Sequence, residues 1–322
     1  MAAVETLGGP VAADDLGVTL MHEHVFVLTP ELLHNYPEHW DEATRIQDAV
    51  EKLSAAQDRG IDTIVDPTVL GLGRDIPLVQ RVAAQVTINI VVATGLYTYD
   101  RLPFAFRFRG PGTPFGGPEP LDQLFIRDLT EGIADTGVRA GILKCATDEE
   151  GVTPDVERVL RAVARAHLAT GAPITTHTHA PSRRGIEQQR IFAEEGADLG
   201  RVVIGHSGDT TDLDYLEQLI DAGSYVGMDR FGVDVVPFEQ RVDTVVQLCE
   251  RGYADRVVLS HDAVCHADWF DMDLMAEVAP RWTFTHIPDD VLPALREHGV
   301  TETQIRSMLV ENPRRILAGE TA

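Results

Sequence analysis

Six side chains of this sequence could between them hold metal ions: His22, His24, Lys144, His177, His206 and Asp262. Imidazole and carboxylate ligands suit zinc, iron, cobalt or manganese, and a site built from them leaves coordination positions open for water. His22 and His24 are two residues apart, so on an extended strand both project from one face. A lone histidine in an apolar strand is more often a hydrogen-bonded structural residue than a ligand. Four of them at the ends of three separate apolar runs, joined by a carboxylate, make coincidence a poor explanation. His179 lies two residues past His177 and His261 immediately precedes Asp262, so both read as supporting residues. His34, His39, His167, His286 and His298 fall on helical or loop segments and need no metal.

Lys144 carries a separate argument. Of 27 basic side chains, two are lysines, Lys52 and Lys144, which leaves 25 arginines. A lysine retained inside the apolar stretch Val-Arg-Ala-Gly-Ile-Leu-Lys-Cys-Ala suggests a task that a guanidinium cannot perform. Burial lowers the lysine pKa, and the nucleophilic amine can take up carbon dioxide as a carbamate, a carboxylate on a long stem able to bridge two ions. A pairing with a barrel carboxylate such as Asp66 is one alternative and a Schiff base is another. The four histidines favour the carbamate over both.

The elements that must position these residues alternate along the chain. Short β-branched runs, each followed by a segment of helical periodicity, predict strands near 19–27, 61–67, 88–95, 138–145, 172–178, 201–206, 224–229 and 256–262. Helical spacing covers 41–59, 154–170, 211–222 and 238–251. Eight parallel strands with intervening helices predict one (β/α)8 TIM barrel over residues 1–322, with active-site groups at the C-terminal strand ends. Residues 101–120, rich in Gly, Pro and Phe, read as a long loop at the barrel mouth. Residues 263–287 form a long apolar loop after strand eight, with Trp269, Phe270, Met272, Leu274, Met275 and Trp282. The residues before Leu20 read as a short leader packed on the barrel, and 288–322 as helical.

Composition narrows the partners. The formal net charge of −24 repels phosphate backbones and anionic membranes, so a small substrate that is not strongly anionic is expected and no nucleic acid or membrane. No apolar run approaches the ~20 residues of a membrane helix. The N-terminus has neither a basic segment nor an apolar stretch of the signal-peptide kind, and a cytoplasmic location is expected. Three cysteines, Cys145, Cys249 and Cys265, suit a reducing compartment and no disulfide framework.

The motifs Met-His-Glu-His (21–24), Leu-Lys-Cys-Ala (143–146), Ile-Thr-Thr-His (174–177), Ile-Gly-His-Ser-Gly-Asp (204–209), Met-Asp-Arg-Phe-Gly (228–232) and Leu-Ser-His-Asp (259–262) resemble the phosphotriesterase-like lactonases of the amidohydrolase superfamily over almost the whole chain. The resemblance implies that His22, His24 and Asp262 hold a more buried ion, His177 and His206 a more exposed one, and carbamylated Lys144 bridges them. Gly-Leu-Tyr-Thr-Tyr (95–99) places Tyr97 where the family directs a phenol at the metal pair, with Tyr99 beside it, and Arg230 and Phe231 end strand seven. The pattern is most similar to members acting on N-acyl-homoserine lactones, the quorum-quenching lactonases, as homodimers. The implied chemistry is hydrolytic opening of a lactone by water activated at the ions. Tyr97 polarises the carbonyl, Asp262 moves a proton toward the leaving alkoxide and Arg230 orients loop and substrate. Tyr99, Phe231, Cys265 and Trp269 are further candidates for substrate contact; packing is the simpler reading of Cys265 and an equal one of Trp269. Phosphotriesterase activity is expected as a side reaction, an oxo-lactonase is the nearer rival, and a metal-free binding barrel is disfavoured by six inward ligand candidates.

Overall fold

The structure, a computed structural model, describes residues 2–319. The β-branched runs form strands because both their faces are buried, one toward the barrel axis and one beneath helices. The strands are β1 (Ala3–Thr6), β2 (Gly9–Ala12), β3 (Thr19–Leu20), β4 (His24–Val27), β5 (Thr63–Asp66), β6 (Asn89–Gly95), β7 (Ile142–Thr147), β8 (Ile174–Thr178), β9 (Val202–Ile204), β10 (Tyr225–Met228), β11 (Val257–Leu259) and β12 (Val264–Ala267). Eight of them make one parallel sheet in the order β11-β10-β9-β8-β7-β6-β5-β3, which curls into the expected (β/α)8 barrel. The leader is an antiparallel hairpin of β1 and β2, and the Leu7 amide anchors it to the Ile90 carbonyl at 2.8 Å.

Helix Pro154–Thr170 shows how local sequence builds the outer layer. The Thr153 side chain accepts from the Val156 amide, a proline occupies the first turn, and Gly171 at φ 74° stops the helix in the left-handed region. Val156, Val159, Leu160, Val163 and Ala166 recur at three- and four-residue spacing and are buried against the barrel. No helix of the described residues is long and apolar enough to cross a membrane.

The structure departs from the sequence reading at the seam where the barrel closes. The strand expected over 19–27 is broken at Met21–Glu23: β3 pairs with β5, whereas β4 pairs with β12 at the mouth. The strand expected over 256–262 ends at Leu259. Between these breaks the backbones bond without a regular ladder. Met21 donates to the Leu259 carbonyl (3.4 Å), Asp262 to that of His22 (3.0 Å) and His24 to that of Ala263 (2.8 Å). Glu23 is the strut. Its buried carboxylate accepts from Ser260 Oγ (2.8 Å), the His261 amide (2.9 Å), His261 Nδ1 (2.7 Å) and the Ala263 amide (2.9 Å).

Two loop expectations also change. Residues 263–287 are not structureless, since they carry β12 and the helix Met272–Val278, and the 101–120 segment contains a short helix, Phe104–Arg107. The C-terminal segment is helical as expected through Ala318, and its last three residues lie outside the described range.

Glu23→Gln replaces an acceptor-only carboxylate by an amide whose NH2 must face one of these donors. Leaving a buried donor unsatisfied costs about 1–3 kcal/mol. Urea denaturation of the metal-free protein should show a lowered midpoint; an unchanged midpoint would mean that the seam does not depend on this carboxylate.

Candidate metal centre

All six ligand candidates converge at the C-terminal end of the barrel, on the wall of a cavity of about 330 Å³. Although β3 and β4 are interrupted between them, His22 and His24 stand edge to face with ring centroids 5.5 Å apart. Their Nε2 atoms lie 3.5 and 3.3 Å from one Asp262 oxygen, Oδ1. Ligand atoms each about 2.0–2.1 Å from a tetrahedral ion stand roughly 3.3 Å apart. The three atoms therefore have the spacing of one ion's ligand set.

A second half-site adjoins it. The His206 ring is 4.8 Å from that of His22 and 4.6 Å from that of His177, and His206 Nε2 lies 3.8 Å from the other Asp262 oxygen. Lys144 faces the pair from β7, with Nζ 3.2 Å from His22 Nε2. It can do so because Gly95 on the neighbouring strand has no side chain; a Cβ there would fall 1.8 Å from the Lys144 carbonyl oxygen. Asp66 does not pair with Lys144: its carboxylate accepts from Thr68 Oγ1 at 2.5 Å and from the Val25 amide at 3.2 Å.

Carboxylates and hydroxyls fix the rings behind the ligand atoms. His206 Nδ1 bonds Asp229 Oδ1 (2.9 Å), His177 Nε2 bonds Asp148 Oδ2 (2.8 Å) and His24 Nδ1 bonds Thr68 Oγ1 (2.7 Å). Such partners set the tautomer and the orientation of metal-ligating histidines. Burial holds His177 at about 4 and His206 well below the usual imidazole range, which keeps them in the neutral form a metal requires. Burial would push His24 down too, but hydrogen bonding to Asp262 and Asp66 raises it to about 9. A ring between two carboxylates favours a positive charge, and a metal ion can supply it in place of the proton. Burial also lowers Lys144 to about 8, against the pull of Asp262 and Asp229.

Two residues at the centre adopt the left-handed backbone, His206 at φ 57° and Asp262 at φ 54°. Such conformations persist only where the surroundings over-determine them, and they cluster at functional sites. Asp262 is secured by Arg230, whose Nε donates to Oδ2 at 2.9 Å. Arg230 in turn donates to Asp209 Oδ2 (2.9 Å), and the fully buried Arg241 donates to Asp209 Oδ1 (3.0 Å) and the Gly208 carbonyl (2.6 Å).

Tyr97, Tyr99, Arg230 and Trp269 all line the cavity. The Tyr97 hydroxyl bonds that of Tyr99 and lies 3.3 Å from His177 Nδ1. Two expected substrate contacts, Phe231 and Cys265, do not line this cavity. Phe231 is fully buried, 5.9 Å beneath the Arg241 guanidinium, and Cys265 faces a second cavity on the far side of the 263–287 segment. Met272 lines that second cavity as well, whereas Met275 borders both. His179 bonds Ser182 and His261 bonds Glu23, as supporting residues. Asp148, Asp229, Asp209, Thr68 and Arg241 were missed from the sequence. The only available signal was a polar residue just past a strand end, as with Asp229 in Met-Asp-Arg-Phe-Gly.

Metal that binds the folded chain alone should raise its stability, by about 2.7 kcal/mol at a free concentration a hundred times Kd. Calorimetry should find a higher Tm with cobalt or zinc than with chelator, and His24→Ala should lose most of that increment. A Tm indifferent to metal in the unsubstituted protein would exclude a metal centre here.

The phosphotriesterase family model matches residues 2–317. A phosphotriesterase homology protein of Mycobacterium tuberculosis is 61% identical over 98% of both chains, and an aryldialkylphosphatase of Saccharolobus solfataricus is 40% identical over 96% of this chain and 97% of its own. The solved structure of the phosphotriesterase from Mycobacterium tuberculosis superposes with a TM-score of 0.96 at 60% identity, covering 98% of each chain. Full-length matches at this level, together with a histidine and aspartate cluster spaced for divalent ions, place the chain in the phosphotriesterase family of the amidohydrolase superfamily, as a metal-dependent hydrolase.

Proposed function

We propose that this protein is a lactonase with two divalent ions, most suitably zinc, that opens N-acyl-homoserine lactones and hydrolyses phosphotriesters as a side activity. The observation that supports it most directly is the placing of the Tyr97 hydroxyl, 3.3 Å from His177 Nδ1, at the foot of a cavity walled by Leu72, Val264, Phe270, Met275 and Trp282. A polar donor at the base of an apolar cleft fits a neutral ring carbonyl attached to an alkyl chain. The net charge of −24 works in the same direction, because it disfavours anionic substrates.

Divalent ions held by His22, His24, Lys144, His177, His206 and Asp262 would supply Lewis acidity and lower the pKa of water toward neutrality. The chain's own groups supply the rest. Burial raises the Tyr97 phenol well above its ordinary pKa, so it stays protonated and donates to the lactone carbonyl oxygen. Asp262, held by Arg230, takes a proton from the attacking water as its oxygen bonds to the carbonyl carbon, and passes it to the alkoxide that leaves when the ring C–O bond breaks. Burial lowers the Lys144 pKa to about 8, so part of its amine is neutral at physiological pH; that amine would add to carbon dioxide and release a proton to water, and the carbamate would offer the ions a carboxylate. The homodimer and cytoplasmic location expected from the sequence belong to the same proposal, and the exposed Phe104, Phe108 and Phe115 form an apolar face of the kind that subunits cover. A dedicated phosphotriesterase is the second reading, favoured by the relative named as an aryldialkylphosphatase.

Lys144→Ala should lose metal and activity together and regain part of both when a short-chain carboxylic acid is added with metal. Lys144→Arg should not be rescued, because the guanidinium fills the space and cannot bridge ions. Full activity of either variant without supplement would remove the carbamate.

Chain-length dependence tests the substrate class. Each methylene enclosed by the cavity contributes up to about 0.8 kcal/mol, or roughly fourfold in kcat/KM. A series of acyl-homoserine lactones, oxo-lactones and phosphotriesters should show the steepest rise with acyl length, and Trp269→Ala should flatten that slope while sparing metal content and short lactones. Phosphotriesters exceeding every lactone in kcat/KM would establish the second reading. An equal loss on all substrates would make Trp269 a packing residue.

A further inference from the structure

Behind the ligand cluster one side chain touches the histidines of both half-sites. Asp229 follows β10 and is buried. Its Oδ1 accepts from the His206 amide (2.8 Å) and from His206 Nδ1 (2.9 Å), and its Oδ2 stands 3.3 Å from His22 Nδ1. His22 Nδ1 is buried and has no aligned hydrogen bond, and the Asp229 carboxylate faces it at that distance. The carboxylate fits because Gly227, on the strand that Asp229 follows, and Gly205, just past β9, carry no side chain. A Cβ on Gly227 would come within 2.3 Å of Asp229 Oδ2, and one on Gly205 within 3.2 Å of it and 2.0 Å of the Thr176 carbonyl oxygen. By contrast, Asp148 contacts the ring of His177 alone and Thr68 that of His24 alone.

We propose that Asp229 is a positioning residue shared by the two ion sites, holding His22 and His206 with the proton on Nδ1 so that both Nε2 lone pairs face the ions and the two ions load as a unit. This rests on the two-ion reading above but not on the identity of the substrate. Only a carboxylate can do this. It accepts from both rings and from a backbone amide, whereas an asparagine of the same shape has one acceptor oxygen and an NH2 that cannot receive a ring N–H. The first ion to bind orders one ring, and through Asp229 the other, so the second ion meets a site already arranged.

The test counts metal and needs no substrate. In wild type, stepwise cobalt loading of the metal-free protein should pass from none to two ions with little singly loaded species at half-saturation. In Asp229→Asn the amide serves one ring at a time, so both ions should weaken together by about 10–100-fold. The 15N ring shifts of metal-free protein should show His22 and His206 both protonated on Nδ1 in wild type, and at least one moved to Nε2 in the variant. Asp148→Asn, which touches one half-site, should weaken a single ion. A statistical population of singly loaded wild type, or an Asp229→Asn protein that loses one ion while the other keeps wild-type affinity, would overturn the shared role. Wild type that binds fewer than two ions would overturn the two-ion reading itself and this proposal with it, leaving the choice of substrate class to the kinetic series.

Discussion

The closure of the barrel between its first and last strands is the constraint on which the rest depends. A closed parallel barrel must bring the ends of the chain's first and last strands together, and here that junction is where His22, His24 and Asp262 meet. A regular ladder across it would have fixed these side chains at strand spacing, pointing along the pleat. Instead both strands stop short, and three irregular backbone hydrogen bonds together with four to the Glu23 carboxylate do the joining. Those bonds free Asp262 to take its left-handed backbone and to turn one carboxylate oxygen toward two imidazoles. The strain of such a residue, on the order of 1–3 kcal/mol, is offset by the bonds around it.

The electrostatics follow from that geometry. A cluster of buried imidazoles, an amine and a carboxylate is costly unless each group has a partner or carries no charge. Burial answers this for His177 and His206 by keeping them neutral, and the ion pair with Arg230 answers it for Asp262. Arg230 is itself balanced by Asp209, and Asp209 by the buried Arg241. The chain of alternating charges runs from the ligand cluster into the wall of the barrel, and it ties the loops after β9 and β10 to each other. Rigid support of this kind is what a hydrolytic centre needs, because misplacing a proton-transfer group by an ångström lowers the rate steeply.

The segment after β11 has the opposite character. Helix Met272–Val278 buries none of its residues, and Trp269 and Phe270 are about half exposed. Trp282 anchors this segment, donating its indole N–H to the Asp262 carbonyl at 2.9 Å. The cavity therefore has a floor of buried strand ends and a wall of partly exposed apolar side chains.

By itself the sequence determined the eight-strand alternation and the six ligand candidates that the fold brings together, and it singled out one barrel lysine among arginines. These are legible because strand and helix periods are local and because metal ligands are chemically distinctive. What only the tertiary structure decided were the partners. Glu23 and His261 are 238 positions apart, and His24 and Thr68 are 44 apart, so no local period connects them. Phe231 and Cys265 each lie one residue from a cavity-lining position, Arg230 and Val264, yet parity and the β12 pairing turn them away. A one-residue step reverses the face of a strand, and a break such as that at Met21–Glu23 resets it, so side-chain direction near strand ends follows from the fold's hydrogen bonds and not from spacing along the chain.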